Sequence, residues 1–462
     1  MVFVNELLPR LIDALGENAI NVTPETRELR MLDALGASRG GAAAPAQAPL
    51  VVVRPAATDE VTAVMRIADE LRAPVVPYGG GTGLMGGARS VRAGIVLDLG
   101  RMDRVREADA ASGWAWVEAG AVLADADREL AAHGVMLGHD PWTYAIATVG
   151  GTLSTNGLGF LGGKYGSMGE QVLAVEAVLA DGTVLRTRPA GPHSAAPDLT
   201  RLFVAGEGCF GVVTAAALRV FPLPEARVRI GYTFASFEAG FAALLRLQAI
   251  GLRPALLDYG ERPAADGVGE PPTLYLGFEG FREEAEAQRG RAAAICADAG
   301  GRGLPAEDVE AFWAERHVPA ERFARARTSG APVRRPSGDG SHFDYVHVAL
   351  PASAVLDYRQ RALATAAAEG VRVVETGIWV APGLFSMVMV SEGAEAMGRA
   401  VDGCLRLAHA CGGSMEYCHG AGVRLAHLME EEHGAAGLEV LRRIKRAVDP
   451  NGILNPGKLG LD

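Results

Sequence analysis

The sequence predicts an α+β protein made of two sheet-bearing units. Strand and helix patterns alternate from Leu50 to Pro224, and the alternation restarts beyond Arg227. Pro222 and Pro224 mark the break between the two runs. A third sign is the Asp181-Gly182 pair inside "VLAVEAVLADGTVLRT", a strong hairpin turn.

Residues 1–35 read as helix, and the Ala/Gly/Pro stretch "GASRGGAAAPAQAP" reads as a connector, so 1–45 is set apart as an N-terminal segment. In the first unit, 46–224, "LVVVRP" is a strand and "TDEVTAVMRIADELRA" a helix with Thr58 or Asp59 as N-cap. "PVVPY", "GIVLDLG" and "WAWVEAG" are strands, "LADADRELAAHG" is a helix, and "GVVTAAALRVFPLP" is a closing strand. In the second unit, 225–410, "RIGYTFAS", "TLYLGFEG", "FDYVHVALP" and "LFSMVMV" are strands. They alternate with helices in "FEAGFAALLRLQAIG", "REEAEAQRGRAAAICADAG" and "VLDYRQRALATAAAEG", which predicts a sheet covered by helices. The remaining residues, 411–462, are helical until "DPNGILNPGKLGLD". The connector and "PVRRPSGDGS" are the candidate mobile segments.

Composition narrows the function. A net charge of −11 argues against a general nucleic-acid binder. The five cysteines are odd in number and form no CxxC pair, which fits a reducing, cytoplasmic setting rather than a disulfide or zinc scaffold. The N-terminus lacks the basic start of a signal peptide, and no apolar run reaches ~18 residues, so no membrane span is expected.

The stretch "PVVPYGGGTGLMGGA", residues 74–88, carries the functional signal. A strand feeds directly into the glycines, which argues against a spacer; glycines there let backbone N–H groups approach a phosphate. No Lys-Ser/Thr follows, so it is not a Walker A loop. A strand follows instead of a helix, so the dinucleotide fingerprint fails despite Asp98 at a suitable distance.

Together with "GHDPWTYAIATVGGTLSTNGLG" and "AGEGCFGVV", this loop resembles the FAD domain of the vanillyl-alcohol oxidase / p-cresol methylhydroxylase superfamily. The likeness runs from Leu50 to Lys458 and includes "DPNGILNPGK". Within the superfamily the chain resembles the FAD-linked oxidase C-terminal branch: glycolate oxidase flavin subunits, D-lactate and D-2-hydroxyglutarate dehydrogenases, and alkylglycerone-phosphate synthase. The resemblance implies a two-part FAD domain and an α+β cap, with 411–462 returning to the flavin. It implies that Pro77, Tyr78, Gly79, Gly80, Gly81, Thr82 and Gly83 wrap the pyrophosphate. Pro141, Ala147, Thr148, Gly150 and Gly151 would run along the flavin and ribityl chain, and Ser154, Asn156 and Gly157 would continue that wall. Glu207, Gly208, Gly211 and Val213 would hold the adenosine end, and Asn455 belongs to the terminal signature. The loop lacks the histidine of covalently linked relatives, so FAD is expected to be non-covalent.

"GGSMEYCHGAG", residues 412–422, resembles the branch's Glu-His-Gly signature, with Cys418 in the glutamate place and His419 in the histidine place. The resemblance makes His419 the base, with hydride passing to flavin N5, and Tyr417 a second catalytic candidate. Metal-dependent relatives use two histidines and that glutamate. Here Trp379, Ser386 and Cys418 stand in those places, and tryptophan offers no ligand atom, so no metal is expected. "FWAERH" resembles a Trp-x-x-Arg element, making Arg316 a carboxylate clamp. His342 falls where a relative has a lysine, and Trp379 would wall the pocket. The expectation is an FAD-dependent oxidoreductase acting on a small alcohol such as a 2-hydroxy acid. Its electron acceptor is open, and a homodimer is the expected assembly. An alkylglycerone-phosphate-synthase-like transferase and a flavin-bearing accessory subunit are the alternatives.

Overall fold

The structure is a computed structural model that describes residues 2–35, 46–191, 194–262, 270–328 and 342–462. Gly36 to Pro45 of the connector and all of "PVRRPSGDGS", segments read as mobile, lie outside the described residues.

The first sheet has four short strands in the order Ile20–Asn21, Val51–Val53, Ile95–Asp98, Val75–Tyr78. The last three run parallel. Val51–Val53 and Ile95–Asp98 are buried throughout, the pattern of a sheet covered on both faces, and this is why they read as unbroken apolar runs. Helix Thr58–Leu71 turns its buried side, Val61, Val64, Met65 and Ala68, to the core, and helix Val2–Leu15 packs on it through Leu7 and Leu11.

Two local expectations are corrected. Residues 1–35 are not one helix. The first helix ends at Leu15, Gly16 takes φ +81°, and an edge strand intervenes before a second helix, Pro24–Met31. Proline at its first position and the Thr23 hydroxyl, which accepts from Thr26 N, restart the helix there. The N-cap of Thr58–Leu71 is Ala57, not Thr58 or Asp59. The Thr58 hydroxyl instead donates to Glu176 Oε1 at 2.7 Å, a partner on another sheet.

The second sheet is antiparallel and centres on the long strand Val212–Pro222, flanked by Trp114–Glu118 and Val172–Val178. Its expected hairpin is present: Gly182 takes φ +82°, and Asp181 Oδ1 accepts from Thr183 N at 2.8 Å. The third sheet has seven antiparallel strands in the order Arg302–Gly303, Ala226–Thr233, Glu270–Gly280, Leu256–Arg262, Arg372–Trp379, Leu384–Ser391, His342–Ala349. Helices Phe237–Ala249, Arg282–Asp298, Val355–Ala368 and Ala394–Ala410 bury apolar stripes against it. One continuous hydrophobic core runs through all three sheets.

The tail closes on the first sheet. Val75 N donates to Ile453 O and Asn455 N to Val75 O, both at 2.8 Å, so residues 453–455 lie along the strand that feeds the glycine loop.

Candidate active site

The glycine loop meets the second predicted segment at very short range. A Cβ on Gly79 would stand 2.3 Å from Thr148 Oγ1, and one on Gly80 would stand 2.2 Å from Ile146 O. Any side chain would force these two turns apart. Pro77, Gly79, Gly80, Thr82 and Gly83 stay partly exposed, as does Ser154, and Gly151 is exposed. Gly81 turns the loop with φ +63°. The third segment joins through Glu207 N, which donates to Ser154 O at 3.0 Å, and through Gly208, packed against the Pro77 ring. All three segments therefore converge on one partly exposed wall. A glycine backbone left partly exposed where a Cβ cannot be accommodated fits the FAD pyrophosphate that the resemblance implies.

Several residues expected to touch the cofactor serve this frame with their side chains. The Tyr78 hydroxyl donates to Leu32 O at 2.9 Å, so its ring points into the core. Gly150 packs on Ala119, and Asn156 Oδ1 accepts from Gly169 N. Val213 is buried within its strand; Pro141, Ala147 and Gly157 are also buried. Gly211, at φ +158°, packs on Phe203. Asn455 Nδ2 bridges Gly87 O and Glu207 O. The Glu207 carboxylate accepts from Ala421 and Gly422 N, tying the wall to the loop that carries His419; burial pushes its pKa up to about 7.

That loop presents His419 partly exposed, with Tyr417 and Cys418 behind it. Glu416 Oε1 lies 3.3 Å from His419 Nδ1. His347 stands edge-on to the His419 ring with centroids 4.6 Å apart, and Tyr345 lies 5.5 Å away. Among the described residues, His347, Glu416 and His419 are a set with metal-ligand chemistry, their ligand atoms within 4.8 Å of one another. Sequence reading missed His347 and Glu416. His347 reaches the site because the strand register sets it opposite Ser386, and a single β-bridge pairs it with Glu416. His342 does not join them. Five residues earlier on the same strand, it lies roughly 17 Å away and on the opposite face.

Tyr417 carries a buried hydroxyl without a hydrogen-bond partner among the described residues, and burial holds its proton well above the usual range. It packs with Leu158, Val380 and Trp379. The Trp379 indole N–H donates to Asp258 Oδ2 at 3.1 Å. Asp258, in a strand not anticipated from sequence, is pushed up to about 7 by burial and then by nearby Glu375.

Phe160 links this group to Arg316, touching Trp379 (centroids 5.1 Å apart) and Trp313 (6.4 Å). The Arg316 guanidinium lies 3.7 Å from the Trp313 ring centre, and its Nε donates to Asp140 Oδ2 at 2.9 Å. Arg316 thus faces an internal carboxylate, which sequence reading did not foresee. Burial pushes Asp140 up to about 6, with Arg316 opposing. Neighbouring His139 is buried and has no partner for either nitrogen among the described residues; burial brings it down to about 3. Among the described residues no helix is long and apolar enough to cross a membrane.

Comparison with known proteins identifies the family and the fold. A family described as FAD binding domain matches residues 49–188, and FAD linked oxidases, C-terminal domain, matches residues 223–459. The chain is 30% identical over 427 residues to D-lactate dehydrogenase of Archaeoglobus fulgidus, covering 88% of this chain and 91% of that one. It is 28% identical over 467 residues to alkyldihydroxyacetonephosphate synthase of Trypanosoma brucei brucei, covering 89% and 73%. The crystal structure of p-cresol methylhydroxylase with substrate bound superposes with TM-score 0.77 at 21% identity, covering 100% of this chain and 98% of that one, a likeness of fold. The two family descriptions support FAD as the cofactor. The chain belongs to the FAD-linked oxidases, a family of oxidases and dehydrogenases built on the FAD-binding fold of p-cresol methylhydroxylase.

Proposed function

We propose that this protein oxidises the alcohol carbon of a 2-hydroxy acid. FAD, when bound, supplies the two-electron acceptor. His419 takes the hydroxyl proton; an imidazole is suited to that exchange near neutral pH. Arg316, held planar against Trp313, presents its remaining N–H groups to the substrate carboxylate. Phe160, Trp379 and Tyr417 connect the two and would keep water from the reacting carbon. Pro77, Gly79 to Gly83 and Thr148 to Gly151 would hold the cofactor.

The observation that carries this reading is His419 itself. It is a partly exposed imidazole at the edge of a buried aromatic group, on a loop that Glu207 fastens to the cofactor wall. The D-lactate dehydrogenase named above supports the substrate class. The test is anaerobic photometry of the yellow protein with D- and L-lactate, glycolate and longer 2-hydroxy acids. One or more should bleach the flavin, and bleaching by none would overturn the proposal.

A second reading is a transferase similar to the trypanosomal synthase, favoured by that likeness and by the "GHDP" segment. It predicts flavin that no 2-hydroxy acid reduces.

A further inference from the structure

We propose that Glu416 is a positioning residue that fixes the ring and the tautomer of His419; this rests on His419 acting as the base. One carboxylate oxygen, Oε1, accepts three successive main-chain hydrogens, from Tyr417 at 3.0 Å, Cys418 at 2.9 Å and His419 at 3.2 Å. The turn that presents His419 is therefore wound around this one atom. The same oxygen stands 3.3 Å from His419 Nδ1. His347 and Tyr345 also pack on the ring, with centroids 4.6 and 5.5 Å away. The imidazole thus contacts an anion and two aromatic rings.

A carboxylate oxygen accepts and does not donate, so this 3.3 Å contact favours hydrogen on Nδ1 and the lone pair on Nε2, with Cys418 Sγ 3.5 Å from each ring nitrogen. Nε2 is then the atom that receives the substrate's hydroxyl proton. The carboxylate beside Nδ1, held by three amides, keeps the ring turned so that Nε2 faces outward for that proton. No oxidant beyond FAD enters this step. The alternative use of His347, Glu416 and His419 is as a cation site. Oε1 already carries three amide hydrogens, which suits a hydrogen-bonded anion better than a metal ligand.

The test is stopped-flow reduction of the FAD-loaded protein by its best 2-hydroxy acid, comparing wild type, Glu416→Gln, His419→Ala and the double variant. Glutamine keeps an oxygen for the three amides but removes the charge. Glu416→Gln should slow reduction by about 10–100-fold at saturating substrate. Substrate Kd and bound-flavin absorbance should not change, and the double variant should be no slower than His419→Ala. Normal reduction in Glu416→Gln beside a slow His419→Ala would overturn the positioning role and leave the base standing. An additive loss in the double variant would also overturn it. Normal reduction in His419→Ala would remove the base reading and this one with it. A stoichiometric divalent ion in the purified protein, lost in Glu416→Gln and needed for reduction, would replace both with a metal site.

Discussion

Glu207 accepts the main-chain N–H of Ala421 at 2.7 Å and of Gly422 at 2.9 Å through a single carboxylate oxygen. Two loops far apart in sequence are joined by these bonds: the segment around Glu207 and the turn that carries His419. Glu207→Ala leaves both amides buried and unpaired, a loss of about 2 kcal/mol or more. Glu207→Gln retains an acceptor and should cost less. Urea unfolding followed by tryptophan fluorescence compares them; equal midpoints for the two variants would show that the bonds contribute nothing.

Gly80→Ala should yield folded protein that purifies largely without FAD, because its Cβ meets Ile146 O at 2.2 Å and drives the two turns apart. Gly79→Ala should behave alike, since it meets Thr148 Oγ1. Gly290→Ala is the control. It lies in helix Arg282–Asp298 with open space around it, and should keep FAD and gain about 0.5–1 kcal/mol. Flavin absorbance per protein and circular dichroism decide the matter.

Arg316→Lys removes the planar fork that stacks on Trp313 and reaches Asp140. Loss of a charge-assisted pair to the substrate carboxylate should raise KM by roughly 10–100-fold, with a smaller effect on kcat. An unchanged KM would confine Arg316 to its pair with Asp140.

His139 predicts a pH dependence. Its folded pKa is brought down from 6.5 to about 3 by burial. Between those values the unfolded chain binds a proton that the folded chain refuses. The stability it allows is full above pH 6.5 and declines as the pH falls towards 3, by at most ~1.4 kcal/mol per unit. Asp140 acts in the opposite sense: raised from 3.8 to about 6, it favours the folded state as the pH falls through that window. His139→Gln should therefore lessen the acid-side decline in urea midpoint. Identical pH slopes in wild type and variant would refute the assignment.

Much of the fold was legible along the chain. Val51–Val53, Val75–Tyr78 and Ile95–Asp98 announce themselves as apolar runs, and Asp181-Gly182 announces its hairpin. Strands Leu256–Arg262 and Arg372–Trp379 were not expected, because "LLDYGER" and "RVVETGIW" mix charge with apolar residues. Asp258 is tolerated there because its cross-strand neighbour is Trp379, whose indole N–H it accepts.

By itself the sequence determined where the backbone can approach a ligand, because only glycine lacks the Cβ that would collide with Thr148 and Ile146. It also marked His419 through the glycines around it. The tertiary structure alone decided the company His419 keeps. Glu416 is near in sequence, yet its carboxylate is aimed by three amides of one turn. His347 arrives through a strand register that sets it opposite Ser386, and His342 is excluded by the same register. Arg316, just after helix Ala306–Glu315, likewise met Asp140 only when the second unit packed on the first. Local sterics are written residue by residue, whereas register and burial emerge from the packing of distant segments into one core.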